Sequence, residues 1–137
     1  MTMTVRSLRK RFESGFTLME LVIVMTIVAI LVVVALPVYV THIKRAREIV
    51  LKQDLDEMRR AIDKYTVDKE KAPAQLSDLV SAGYIRKIPE DPITRSSTTW
   101  QVEMETESPS PDNPPGINNV KSGADGTGTD GVAYKDY

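Results

Sequence analysis

Residues Gly15–Val40 read GFTLMELVIVMTIVAILVVVALPVYV, and from Leu21 to Thr41 no side chain is charged. As a helix rising ~1.5 Å per residue, such a run crosses the ~30 Å hydrocarbon core of a bilayer. A helix suits that solvent because its backbone groups bond one another without water. One acid, Glu20, stands at the front edge of the run. An acid at mid-bilayer costs roughly 2.5–3.5 kcal/mol on insertion scales, and less near the interface. Glu20 is therefore either a boundary residue reaching for the headgroups or a functional carboxylate. Pro37 removes one helical hydrogen bond and crowds the preceding turn, which predicts a bend or a locally opened turn. Membrane helices also tolerate proline with no special role.

Upstream, Arg6, Arg9, Lys10 and Arg11 against Glu13 give Met1–Gly15 a charge of +3, so the rest of this 137-residue chain, whose total is −1, carries −4. Basic residues before an apolar run hold that end in the cytoplasm and send the C-terminal part across the membrane. A cleavable secretory signal has a core of only ~7–15 apolar residues followed by a small-residue cleavage site. The run here is longer, and Val38-Tyr39-Val40 is no such site, so the helix is expected to be retained. There is no cysteine. A small exported domain without a disulfide must be held by packing, by neighbouring subunits or by a metal.

Downstream, the spacing predicts that the helix continues from Tyr39 to about Glu70. Leu51, Leu55, Met58, Ile62 and Tyr65 form one apolar stripe. The other face is charged and reads as solvated, with i,i+4 pairs such as Glu48–Lys52 and Asp56–Arg60. The stripe is short for a coiled coil and is expected to rest on the chain's own small domain. Lys71-Ala72-Pro73-Ala74 ends the helix. A second helix is predicted from Pro73 or Ala74 to Ala82, capped by Gly83. Tyr84–Pro92 reads as an extended segment with two prolines. Ser97–Glu105 alternates, with Thr98, Trp100, Val102 and Met104 on one face, as a half-buried strand does. Glu107–Asn119 holds four prolines and reads as a loop. Val120–Tyr137 reads as turns with at most one short strand. Trp100 is expected in the core, with Tyr134 and Tyr137 closing the sheet's edge.

The run Ser122-Gly123-Ala124-Asp125-Gly126-Thr127-Gly128-Thr129-Asp130-Gly131 admits two readings. It is either a pair of Asp-Gly turns or a flexible oxygen-rich loop of the kind that can hold calcium, which takes six to eight oxygens in irregular geometry. On the second reading Asp125 and Asp130 supply the hard oxygens, with Ser122, Thr127 and backbone carbonyls nearby. His42, the only histidine, lies just past the apolar run and reads as an interfacial polar residue. No cysteine nucleophile, glycine-rich phosphate loop or histidine-containing metal pattern is present, so neither an enzyme nor a nucleic-acid binder is expected.

Basic residues ending in Gly15, then Phe16-Thr17-Leu18-Met19-Glu20 and the apolar run, resemble the processing site and N-terminal helix of the type IV pilin-like proteins. The resemblance implies that a prepilin peptidase cuts between Gly15 and Phe16 and methylates the new amine, giving N-methylphenylalanine at Phe16. Glu20 is then the fifth mature residue, matching the family's acid, and Pro37 the twenty-second. Glu20 would pair with the Phe16 amine of a neighbouring subunit and set the axial register. The C-terminal half is similar to the major pseudopilin of type II secretion systems in Tyr84-Ile85, Ile88-Pro89-Glu90-Asp91-Pro92, Trp100 and the aspartate-rich terminal turn. That likeness implies one structural calcium in the loop.

The expected fold is α+β and pilin-like, a long N-terminal helix packed on a small antiparallel sheet. Its parts are a leader (1–15), a membrane and filament-core helix (16–40), an amphipathic continuation (41–70) and a small periplasmic domain (71–137). The expected function is that of a structural subunit of a type II secretion pseudopilus, a homopolymer drawn from the inner membrane. Its implied partners are the prepilin peptidase, minor pseudopilins, an assembly platform with a cytoplasmic ATPase, and lipid before assembly. Two alternatives are a type IV pilin for adhesion, motility or DNA uptake, and a membrane-anchored periplasmic binding domain that does not polymerise.

Overall fold

A computed structural model describes residues 15–107 and 110–137. The leader up to residue 14, with its basic cluster, lies outside the described residues. The order is α1 (Leu18–Lys69), α2 (Leu76–Ser81), β1 (Gln101–Met104), β2 (Ile117–Lys121) and a short 3-10 helix, Tyr134–Asp136. The chain divides into two compact units, one ending at Val38 and one running from Tyr39 to Tyr137.

The first unit is the N-terminal part of α1. Thr17 caps it, its Oγ1 accepting from the Glu20 backbone N–H at 3.1 Å. Thr17-Leu18-Met19-Glu20 thus has the sequence of a capping box, with the acid at the third helical position, where the helix dipole favours negative charge. Thr26 satisfies its hydroxyl on the Val22 carbonyl at 2.7 Å. The helix is assigned without interruption through Pro37. Every residue from Gly15 to Val38 is exposed in the isolated chain. This helix is long and apolar enough to cross a membrane.

In the second unit the rest of α1 lays its expected stripe on the core: Leu51, Leu55, Met58 and Ile62 are fully buried, and Ala61 joins them. Leu79, Ile85, Trp100, Ile117, Val120, Ala124 and Tyr134 complete the cluster. α2 is shorter than the predicted 73–82. Asp78 holds its start, its Oδ2 accepting from the Ala74 and Gln75 backbone N–H groups at 3.0 Å each. Its end closes as expected on Gly83 at φ 83°. Gly83 N–H donates to Val80 and Tyr84 N–H to Leu79, the paired bonds of a Schellman end.

β1 and β2 form a two-stranded antiparallel sheet, with Gln101 opposite Lys121 and Val102 opposite Val120, and an irregularity between Glu103 and Met104. Three expectations need correction. The strand predicted over Ser97–Glu105 is only four residues long and exposed at all four. It is not half-buried, because its inward neighbours come from one side alone: Val120 opposite Val102 is fully buried while Val102 itself stays 42% exposed. Of the predicted inward face only Trp100, just before β1, enters the core, where its Nε1 donates to the Pro89 carbonyl at 2.8 Å. The loop predicted to Asn119 ends earlier, since β2 begins at Ile117, whose N–H donates to the Pro73 carbonyl at 2.8 Å. The charged face of α1 is also not simply solvated. Glu48 is buried rather than paired with Lys52, and among the described residues the ion pairs are Lys52–Asp130 and Lys121–Glu103.

Candidate functional site

Two places gather the residues singled out in the sequence. The first is the N-terminal approach to α1. Gly15, Phe16 and Thr17 precede the helix as irregular backbone, and Phe16 is 79% exposed. The Gly15–Phe16 peptide bond therefore lies just before the first turn of α1. Glu20 follows one helical turn later, exposed, with its backbone N–H on Thr17. Its backbone is engaged within its own chain, and its carboxylate stands at the entrance to the apolar segment.

The second place is the C-terminal loop and the α1 face that holds it. Lys44 Nζ donates to the Thr127 carbonyl at 2.9 Å. One turn on, Glu48 accepts from the Thr129 backbone N–H at 2.9 Å, from the Thr129 hydroxyl, and from the Tyr134 hydroxyl at 3.1 Å. Another turn on, Lys52 Nζ meets Asp130 Oδ2 at 2.8 Å and lies 4.3 Å from the centre of the Tyr137 ring. Arg59 then donates to Asn119 Oδ1 at 2.8 Å, to the Val120 carbonyl at 2.9 Å and to the Tyr137 carbonyl. Positions 44, 48 and 52 share one helix face by their four-residue spacing.

The electrostatics follow from these contacts. Burial pushes the Glu48 carboxyl up, but the bonds from Thr129 and Tyr134 and the charge of Lys44 outweigh it and hold it below its ordinary value. Hydrogen bonds from Lys52, Tyr137 and the Val132 backbone hold Asp130 far below the usual carboxylate range. Burial, then the bond to Asp130, raises the Tyr137 hydroxyl.

The three residues expected around calcium serve different ends. Ser122 is fully buried, its Oγ donating to Asp91 and accepting from the Ala124 N–H at 3.1 Å. Asp91, also fully buried, turns the chain through its Oδ1, which accepts from Ile93 at 2.8 Å and Thr94 at 3.3 Å. Asp130 faces Lys52 and Tyr137, and Asp125 is exposed. Among the described residues no group of three or more His, Asp or Glu side chains could hold a metal ion.

Sequence reasoning missed Glu48, Asp91 and Arg59. Glu48 had a readable signal, since it lies three before Leu51 and so on the apolar stripe itself. Arg59 had none, because its partners are 60 or more residues away, whereas Asp91 makes a local turn with Ile93 and Thr94 that Asp91-Pro92 could have signalled.

A family model described as the prokaryotic N-terminal methylation motif matches residues 10–36. The chain is 28% identical to type II secretion system core protein G of Pseudomonas aeruginosa over 101 residues, covering 62% of this chain and 71% of that protein. It is 29% identical to core protein G of Aeromonas hydrophila over the same shares. It is 38% identical to type IV major fimbrial protein FimA of Dichelobacter nodosus over 63 residues, 46% of this chain and 39% of that protein. No solved structure matches significantly. A methylation motif heading a long apolar helix, with a small α+β unit after it, makes this chain similar to pilin-like proteins. Two of these relatives are G-type core proteins of type II secretion systems. Their matches cover more of the chain than α1 and everything before it, so they extend into the second unit.

Proposed function

We propose that this chain is a structural subunit of a type II secretion pseudopilus. A prepilin peptidase cuts between Gly15 and Phe16 and the Phe16 amine is methylated. The apolar part of α1 anchors the product in the inner membrane with residues 41–137 outside the cytoplasm. The subunit is then drawn into a homopolymer, with work supplied by a separate cytoplasmic ATPase. It has no catalytic role of its own.

One observation carries this reading. Gly15–Val38 is exposed at every residue, almost wholly apolar, and headed by a single acid. Such a surface has to be covered by lipid or by copies of itself, because exposed apolar area of this extent is strongly unfavourable in water. Lipid is as apolar as leucine, so moving from bilayer to fibre gains specificity from close packing and polar pairing. Glu20 against a neighbour's Phe16 amine supplies that pairing. The fimbrial relative favours a second reading, a type IV pilin. Deletion in the native host separates the two: lost export of secreted enzymes supports the pseudopilus, while lost surface fibres or twitching supports the pilus. Mass analysis of the mature N-terminus together with crosslinking tests both. A start other than methylated Phe16 overturns the processing, and strict monomers overturn the polymer in favour of a solitary anchored domain.

A further inference from the structure

Calcium is the ion that the family likeness leads one to expect in the C-terminal loop, and the donors there do not fit it. Calcium gathers six to eight oxygens. The Ser122 hydroxyl is turned into the core on Asp91. Asp130 Oδ2 is taken by Lys52, and its Oδ1 by the Tyr137 hydroxyl at 2.6 Å and the Val132 N–H at 3.1 Å. Three main-chain carbonyls of the loop are also engaged. The Gly126 carbonyl accepts from Tyr134 N–H at 3.1 Å, that of Gly128 from Gly131 N–H at 3.1 Å, and that of Thr127 from Lys44 Nζ. Asp125 is exposed and belongs to no group of three or more acid or histidine side chains among the described residues. A divalent ion entering here would also approach the Lys52 ammonium, a like charge.

We infer that in this chain the loop is closed by two lysines of α1 in place of a metal. Lys44 and Lys52 lie one helical turn either side of Glu48. Together they bring two positive charges to the oxygens of Thr127 and Asp130, while Glu48 between them takes up the Thr129 N–H and hydroxyl. The lysines come from a helix, so the loop is tied directly to the core stripe that begins at Leu51. The inference is independent of whether the fibre is a pseudopilus or a pilus.

The test uses the full chain in detergent micelles, with amide hydrogen exchange read over residues 122–133. For the unmodified protein the expected result is equal loop protection with chelator and with millimolar calcium, and a flat calcium titration. The doubly substituted Lys44→Met, Lys52→Met chain is expected to exchange roughly three- to tenfold faster in the loop, the effect of losing two exposed charged contacts. Exchange at Leu55 and Met58 is expected to stay unchanged. A chelator that speeds loop exchange in the unmodified chain, or saturable calcium binding abolished by Asp125→Asn, overturns the inference. So does a double variant whose loop is as protected as before. Should that variant fail to fold, Lys44→Met alone gives the same reading at a smaller effect, and the metal arm needs no variant.

Discussion

The Tyr137 hydroxyl donates to Asp130 Oδ1 at 2.6 Å across the bare Cα of Gly128. A methyl group on Gly128 would stand 2.0 Å from that hydroxyl oxygen and 2.7 Å from the Asp130 carboxylate. The last turn of the chain, the aspartate and Lys52 therefore meet only because position 128 has no side chain. Gly128→Ala is expected to push Tyr137 off Asp130 and lower unfolding stability by about 1–3 kcal/mol, the usual cost of overpacking. Denaturant titration of the chain in micelles measures it, and stability equal to that of the parent would show that Tyr137 swings aside freely.

Leu55 is 1% exposed and sits in the middle of the stripe. Leu55→Ala removes a buried side chain that its neighbours cannot fully replace, so about 2–5 kcal/mol of stability is expected to go. Val102, 42% exposed, is the internal control. Val102→Ala should cost well under half as much in the same denaturation experiment.

Glu48 links pH to loop closure. Its carboxyl is held below its ordinary value of 4.5 with Lys44, Thr129 and Tyr134 facing it, so the unfolded chain binds its proton more tightly than the folded chain does. Its contribution is complete above about pH 4.5 and is lost as the pH falls through the lower, folded value. Thermal midpoints taken downward from neutral pH should therefore fall in that acidic window. Glu48→Gln should start lower at neutral pH and show a shallower acid slope; a slope equal to the parent's would remove Glu48 from the account.

Glu20 stands at the third helical position, where the helix dipole favours its charge, and has a proposed role between subunits. Glu20→Ala is expected to insert, be processed to a Phe16 terminus and yield fewer fibres by more than roughly tenfold, the cost of a charged amine left unpaired in a dry setting. Glu20→Gln keeps a polar group at the third helical position but loses the charge. Electron microscopy of sheared material that shows normal fibres from Glu20→Gln would leave helix capping as the whole explanation of the residue.

The helical half of this fold was legible, because spacing at three and four residues is a local signal that burial then obeys: Leu51, Leu55, Met58 and Ile62 all lie where the pattern puts them. Gly83 as a helix end was equally local. The sheet was harder. Alternation over Thr98–Met104 is the mark of a strand with one covered face, yet β1 is a four-residue edge that buries neither face. The start of β2 was hidden by the prolines before Gly116, which read as one unbroken loop. At the C-terminal loop composition was a poor guide. Asp, Ser and Gly in a short run suit either a cation or a set of turns, and the choice rests on Lys44 and Lys52, some 78 or more residues earlier in the chain.

The N-terminal part of α1, apolar right round its circumference, has a mechanical corollary. In a fibre built from such rods, each neighbour meets much the same greasy wall whichever way it is turned. Greasiness alone then fixes neither angle nor register, so side-chain fit and the Glu20 pair have to do so in the proposed fibre.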